Sequence, residues 1–190
     1  MSPEARRMQI LRCAIKAFAE KGILNTTHAD VSKLAGVASP TVFHYFPTIE
    51  GLQAEVVKEV RRFLLEGFVL SRSDKASSAS ERIEDMLHSF RKAVDTSPDE
   101  VTIWLEWSGM TRGFLWELYL EFYRDTVAAL RSLILEGRRD NSVSQRIDAS
   151  DGARVVLSMA HAIAHMRFSG SSPKTVKKTV HSLVSIYIAP

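Results

Sequence analysis

Apolar residues recur at three- and four-residue steps along most of the chain, and strict alternation is nearly absent. From Arg6 to Lys21, the positions Ile10, Leu11, Ala14, Ala17 and Phe18 mark one helical face, and Gly22 supplies the stop. Thr27 is placed to cap a short second helix running to about Ala35. Asp30, at its third position, can bond back to the capping backbone and also suits the helix dipole. Gly36 ends that helix. Ser39 is expected to cap a third, with Pro40 at the first helical position, where a missing N–H costs nothing. Pro47 closes it, and Thr48 with Glu50 opens a long fourth helix to about Leu70.

The polar, serine-rich stretch Ser71 to Ser80 is the best linker candidate. A fifth helix carries Ile83, Met86, Leu87, Phe90 and Val94 on one side, until Ser97-Pro98 breaks it. The sixth, from about Asp99, holds Ile103, Trp104, Trp107 and Met110. After a bend at Gly113 a seventh runs from about Phe114 to Glu136, stopping before Gly137. The segment RRDNSVSQRIDAS is expected to be a surface connection. An eighth helix, about Asp151 to Phe168, is apolar almost all round, which predicts burial on most sides. A ninth carries Val176, Val180, Leu183, Val184 and Tyr187. The pattern predicts an all-α fold of about nine helices, three short ones leading through a long fourth into a bundle.

Composition adds limits. A chain of 190 residues makes one domain or two small ones, and 45% apolar with 25% charged residues is an ordinary globular mix. The longest apolar stretch, Val155 to Met166, falls short of the ~20 residues that cross a bilayer. No secretory signal pattern is read at the start, and the single Cys13 cannot form an internal disulfide. The expectation is a soluble cytoplasmic protein. The net charge of +3 sits entirely in residues 1–48, where Arg6, Arg7, Arg12, Lys16, Lys21 and Lys33 face only Glu4, Glu20 and Asp30. A neutral body with a basic head suits contact with a polyanion.

Helices two and three, joined by Gly36-Val37-Ala38, have the proportions of a helix-turn-helix, whose later helix enters the major groove. Ser39, Thr41, His44 and Tyr45 offer hydroxyls and an imidazole for phosphates or base edges. Thr27 and the N–H groups at the start of helix two can hold another phosphate, and Pro40 and Thr48 complete the expected DNA-facing set. Val42, Phe43 and Phe46 are expected to point back into the small core.

Residues 22–52, GILNTTHADVSKLAGVASPTVFHYFPTIEGL, resemble the DNA-binding signature of the TetR family of transcription regulators. The specific elements are Gly22, Thr27, Asp30, the Gly36-Val37 turn and the run Thr41 to Pro47. A second block, WLEWSGMTRGFLW (Trp104 to Trp116), together with His28-Ala29-Asp30, resembles the vibrio quorum-sensing master regulators of the HapR/SmcR/LuxR type. The similarity runs from near Ser2 almost to the C-terminus. The resemblance implies a homodimer with a DNA-binding domain at residues 1–48 and a ligand-binding and dimerisation domain at 49–190. Carried over by position, Thr27, Ser39, Thr41 and Tyr45 hold phosphates, and His44 stands where that branch reads a base. Three departures bear on affinity. The branch has asparagine at His44 and arginine at Ile49, and it has a basic arm before helix one that is either absent or cropped here.

In the second domain Met86, Phe90, Trp104, Trp107, Met110, Tyr119 and Tyr123 concentrate adaptable apolar side chains. Each alone is an ordinary core residue; the resemblance makes them candidates for lining an effector cavity. Glu106 is expected to be a structural ion-pair partner. The stripes Ala153, Leu157, Ala160, Ala164 and Val176, Val180, Leu183, Tyr187 are candidates for a four-helix dimer interface. The alternative is that both cover the monomer's own core. His161 and His165 are four apart on one helix face but have no carboxylate or thiolate beside them, so no metal is expected. Cys13 is read as a small core or near-surface residue. No phosphate loop or nucleophile elbow is present, and no cofactor or catalytic residue is implied. The expected function is a sequence-specific DNA-binding regulator responding to a small apolar effector, with pseudo-palindromic DNA and a second copy of itself as partners. The rival is an all-α small-molecule binding protein or enzyme without DNA binding.

Overall fold

The computed structural model describes residues 1–70 and 77–190; residues 71–76, most of the expected Ser71–Ser80 linker, lie outside the described residues. Among the described residues there are nine α-helices and no strand. They are α1 (Pro3–Lys21), α2 (His28–Ala35), α3 (Ser39–Tyr45), α4 (Ile49–Leu64), α5 (Ala79–Thr96), α6 (Pro98–Ser108), α7 (Phe114–Arg139), α8 (Ala149–Phe168) and α9 (Pro173–Leu183). Single π-helical turns extend α4 over Leu65–Val69 and α9 over Val184–Ile188. No helix among the described residues is long and apolar enough to cross a membrane.

The helices gather into two compact units, Met1–Arg62 with Pro98–Leu120, and Phe63–Ser97 with Glu121–Pro190. The boundary expected at residue 48 falls inside the first. In that unit Ile10, Leu11, Ala14, Ala17 and Phe18 are all buried, as the periodicity of α1 predicts. Val31, Val42, Phe46, Leu52 and Val56 are buried in the same unit, and α1 packs on α2 and on α6, whose Trp104 and Trp107 are each 1% exposed. A buried tryptophan withdraws roughly 200 Å² from water, on the order of 5 kcal/mol before ordering entropy is subtracted. That burial makes α6 part of this unit's core.

In the second unit α8 and α9 pack on α5. Gly137 does not stop α7, which continues to Arg139. A Cβ there would clash with Val143 Cγ2 and meet Ala79 Cβ at 2.9 Å, so the glycine serves close packing. The connection after α7 is therefore anchored, with Val143 1% exposed and Ser144 N–H donating to the Ile188 carbonyl at 2.9 Å. Ser97-Pro98 ends α5 at Thr96 as expected, and Pro98 also begins α6, one residue before the expected Asp99, since the first turn needs no N–H. Met110 lies beyond the end of α6.

Candidate nucleic-acid interface

The first unit presents a short helix whose two sides differ sharply. Val42 and Phe46 are buried at 0% and 3%, while Pro40, Phe43, His44, Pro47 and Thr48 are exposed. Ser39, Thr41 and Tyr45 are half-buried at its flanks. Of the expected DNA-facing set on and after α3, Pro40, His44 and Thr48 are thus exposed and Ser39, Thr41 and Tyr45 half-buried. Phe43 is the exception to the sequence reading: expected inside, it is 49% exposed. Its ring stacks on His28 of α2, with centroids 4.2 Å apart and planes 12° apart. His28 is in turn fixed by its Nε2, 2.7 Å from the Phe46 carbonyl, which requires Nε2 to donate. The core beneath α3 is already filled by Val42 and Phe46, which leaves Phe43 no room inside.

The turn before α3 is set by Gly36 in the left-handed region, φ 63°, with Val37 N–H donating to the Ser32 carbonyl at 3.1 Å. Ser39 is not the cap of α3. Ala38 occupies that position without a side-chain hydrogen bond, and Ser39 Oγ instead lies 3.1 Å from Ser32 Oγ. That contact ties α3 to α2.

The start of α2 forms the expected capping box. Thr27 Oγ1 accepts from Asp30 N–H at 3.3 Å and donates to Asp30 Oδ2 at 2.7 Å. The Thr27 hydroxyl proton is therefore spent within the cap, and a phosphate at this end would meet backbone N–H groups first. Lys21 pairs with Asp30. That hydrogen bond, followed by those from the Thr27 hydroxyl and N–H, holds the Asp30 carboxyl far below the ordinary range. Thr48 Oγ1 accepts from Gly51 N–H at 3.0 Å and so caps α4. Arg7 pairs with Glu55, and its guanidinium sits 5.0 Å from the Phe46 ring centroid. Two of the head's six cations thus neutralise acids of the same unit.

Beneath this surface lies a support that the sequence reading missed. Gly22, with φ 91°, turns the chain so that Ile23 N–H points at Glu106 of α6, whose Oε1 and Oε2 accept at 2.9 and 3.1 Å. Gln53 Nε2 of α4 donates to the Ile23 carbonyl at 2.9 Å, and Thr26 Oγ1 donates to the Gly22 carbonyl at 2.8 Å. Glu106 is thus a clamp on the turn before α2, not the ion-pair partner expected. An acceptor on α6 for an N–H over eighty residues earlier leaves no signature in local spacing.

The seven candidate ligand residues divide between the units. Trp104, Trp107 and Tyr119 are core residues of the first, Trp107 Nε1 donating to the Leu115 carbonyl at 2.7 Å, and Met110 belongs to the same unit. Met86, Phe90 and Tyr123 belong to the second. There a cavity of about 420 Å³ lies between α5 and α7, lined by Phe68, Met86 and Leu133 but also by Arg82, Asp85 and Glu136. Of the seven, only Met86 lines it. Arg82 pairs with Glu136 at 2.6 Å.

The dimer stripes turn mostly inward. Ala153, Leu157, Ala164, Val176 and Val180 are buried by the protomer itself, because α8 and α9 direct them at their own unit's core. Ala160, Leu183 and Tyr187 keep partial exposure. His161 and His165 gain no third ligand; no cluster of three metal-binding side chains occurs among the described residues. Burial pushes the His161 imidazole below its ordinary value. Cys13 is half-buried.

Residues 10–56, which cover the last twelve residues of α1, all of α2 and α3 and half of α4, match the family model described as bacterial regulatory proteins, tetR family. The chain is 27% identical over 188 residues to the HTH-type transcriptional regulator LuxR of Vibrio harveyi, covering 99% of this chain and 89% of that protein. It is 29% identical over 188 residues to the HTH-type transcriptional repressor KstR2 of Rhodococcus jostii, covering 94% and 89%. A putative transcriptional regulator from Saccharomonospora viridis, solved in complex with choline, shares the fold with a TM-score of 0.84, 18% identity and full coverage of both chains. Residues 10–56 thus carry the tetR-family match, and the curated relatives similar to the chain over nearly its whole length are HTH-type transcription regulators. The rival reading, without DNA binding, is not favoured.

Proposed function

We propose that the protein works in the cytoplasm as a homodimeric operator-binding regulator, residues 1–48 meeting DNA and 49–190 serving effector binding and dimerisation. Two copies of α3 enter successive major grooves of a pseudo-palindromic site. Ser39, Thr41, Tyr45 and Thr48 approach phosphates, with Pro40 beside them and His44 toward a base edge. The observation that carries this is the exposed row on α3, held by the Gly36 turn and by the Ser32–Ser39 contact. The second copy docks on the outer faces of α8 and α9, where Ser158, Ala162 and the 84% exposed Ile186 face outward. The likeness to LuxR supports a place in quorum sensing.

The α5–α7 cavity is the proposed effector site. Arg82, Asp85 and Glu136 on its wall favour a molecule that is part apolar and part polar, a narrower class than the apolar effector expected from the aromatic residues alone. Binding there biases operator affinity through the difference in effector affinity between the two states.

The test is fluorescence anisotropy on duplexes selected from a random library by the full chain. Affinity should fall on the order of a hundredfold between about 50 and 200 mM salt if about four phosphates are neutralised. His44→Ala should change the preferred sequence, whereas Thr41→Ala should weaken all sites alike. Failure to enrich any sequence, or salt-insensitive binding, would overturn the reading.

A further inference from the structure

The exposed face of α3 carries one large apolar group among polar ones. Pro40, Phe43 and His44, three and four residues apart from Pro40 along α3, form one outward stripe, and the exposed Pro47 follows beyond the helix end. Phe43 lies in its middle, half of its surface open to water, on a helix whose core side is already closed by Val42 and Phe46. Water contact over so much of an aromatic ring is unfavourable for a protomer on its own.

The ring is also not free to fold away. One face lies flat on His28, and His28 is 8% exposed and anchored through Nε2 to the Phe46 carbonyl. Stacking and anchor together fix the ring's orientation before any partner arrives, which lowers the ordering cost of binding. A rigid apolar disc projecting from a groove-reading helix has one apolar counterpart among the base edges of the major groove, the 5-methyl group of thymine.

We propose that Phe43 is a specificity-determining residue that packs on a thymine methyl group in each half-site, and that His28 positions it. The proposal rests on the DNA-binding reading above. Ser39, Thr41 and Tyr45 fix register through the backbone, His44 offers hydrogen bonds, and Phe43 adds a contact that distinguishes thymine from cytosine at one position.

The experiment replaces each thymine of a library-selected duplex, one at a time, by deoxyuridine, which removes the methyl group and leaves base pairing intact. Binding of the full chain is followed by anisotropy. Wild type should lose about fourfold in affinity at one thymine per half-site, the value of one buried methyl group. Phe43→Ala should bind the thymine and uracil duplexes equally at that position, and Phe43→Leu should keep part of the difference. His28→Ala should reduce the discrimination while the melting profile by circular dichroism shows the head still folded. The inference is overturned if no thymine is methyl-sensitive, or if Phe43→Ala keeps the wild-type thymine-to-uracil ratio. Enrichment of no sequence at all would instead overturn the DNA-binding reading itself, so the two failures are distinguishable.

Discussion

Glu106 places both carboxylate oxygens on a single backbone N–H, that of Ile23, at the turn where Gly22 leaves α1. A part-buried N–H stripped of its acceptor loses its desolvation compensation, about 1–3 kcal/mol. Glu106→Ala should therefore lower the urea midpoint by an amount equivalent to about 2 kcal/mol, and Glu106→Gln, which keeps one acceptor oxygen, should recover most of it. Equal losses for the two variants would mean that the carboxylate acts through its charge and not as an acceptor. Such a residue is invisible to sequence reasoning because the pairing spans two distant helices. Phe43 escaped for a related reason: aromatic residues are usually assigned to cores, and only the packed positions of Val42 and Phe46 show that its place inside is taken.

At the scale of elements, most helix starts carry a side-chain cap. Ser2 Oγ accepts from Ala5 N–H, Ser78 forms a capping box with Glu81, Asp148 accepts from Ser150 and Asp151, and Ser172 accepts from Thr175. The third helix is different, since α3 is seven residues long and its cap position, Ala38, makes no such bond. Isolated helices of that length do not persist in water, so α3 is held by tertiary packing and by its tie to α2. Ala38→Ser should supply the missing acceptor and raise thermal stability by about 0.5–1 kcal/mol, read from the melting midpoint. No gain would show that Ala38 cannot bring a side chain to the first-turn N–H groups. The cap signals at Thr27 and Ser78 are legible from type and spacing alone. The start of α3 misleads by one residue because Ser39 and Pro40 mimic a cap followed by its first position.

For the whole molecule, the caps create a shared dependence on pH. The carboxyls of Asp30, Glu81, Asp140 and Asp148 are all lowered, Asp30 first by Lys21, Glu81 by the Ser78 N–H and hydroxyl, Asp140 by the Ser142 hydroxyl and N–H, and Asp148 by the N–H groups of Asp151 and Ser150. Glu55 is lowered by Arg7. Between these depressed values and the ordinary range near pH 4 the unfolded chain binds more protons than the folded one, so stability rises with pH through that window. It should be complete above about pH 5 and decline as pH falls below it. Asp30→Asn should make the acid limb of a urea-midpoint profile shallower. His161 adds an earlier limb: its folded value lies below the ordinary 6.5, so protonation opposes folding as pH drops through that value. His161→Gln should flatten the profile below about pH 6.5. An unchanged profile in either variant would assign that limb to other groups.

The order of the helices, the capping box at Thr27, the glycine turn at Gly36 and the polar row on α3 follow from residue type and spacing, because these are local interactions among residues a turn or two apart. The tertiary structure decided what distance along the chain conceals. It turned Phe43 outward, gave Glu106 its N–H, made Gly137 a packing site, and pointed Ala153, Leu157, Ala164, Val176 and Val180 into their own unit. A helical stripe records that a face will be covered; only the three-dimensional arrangement of the other helices determines what covers it.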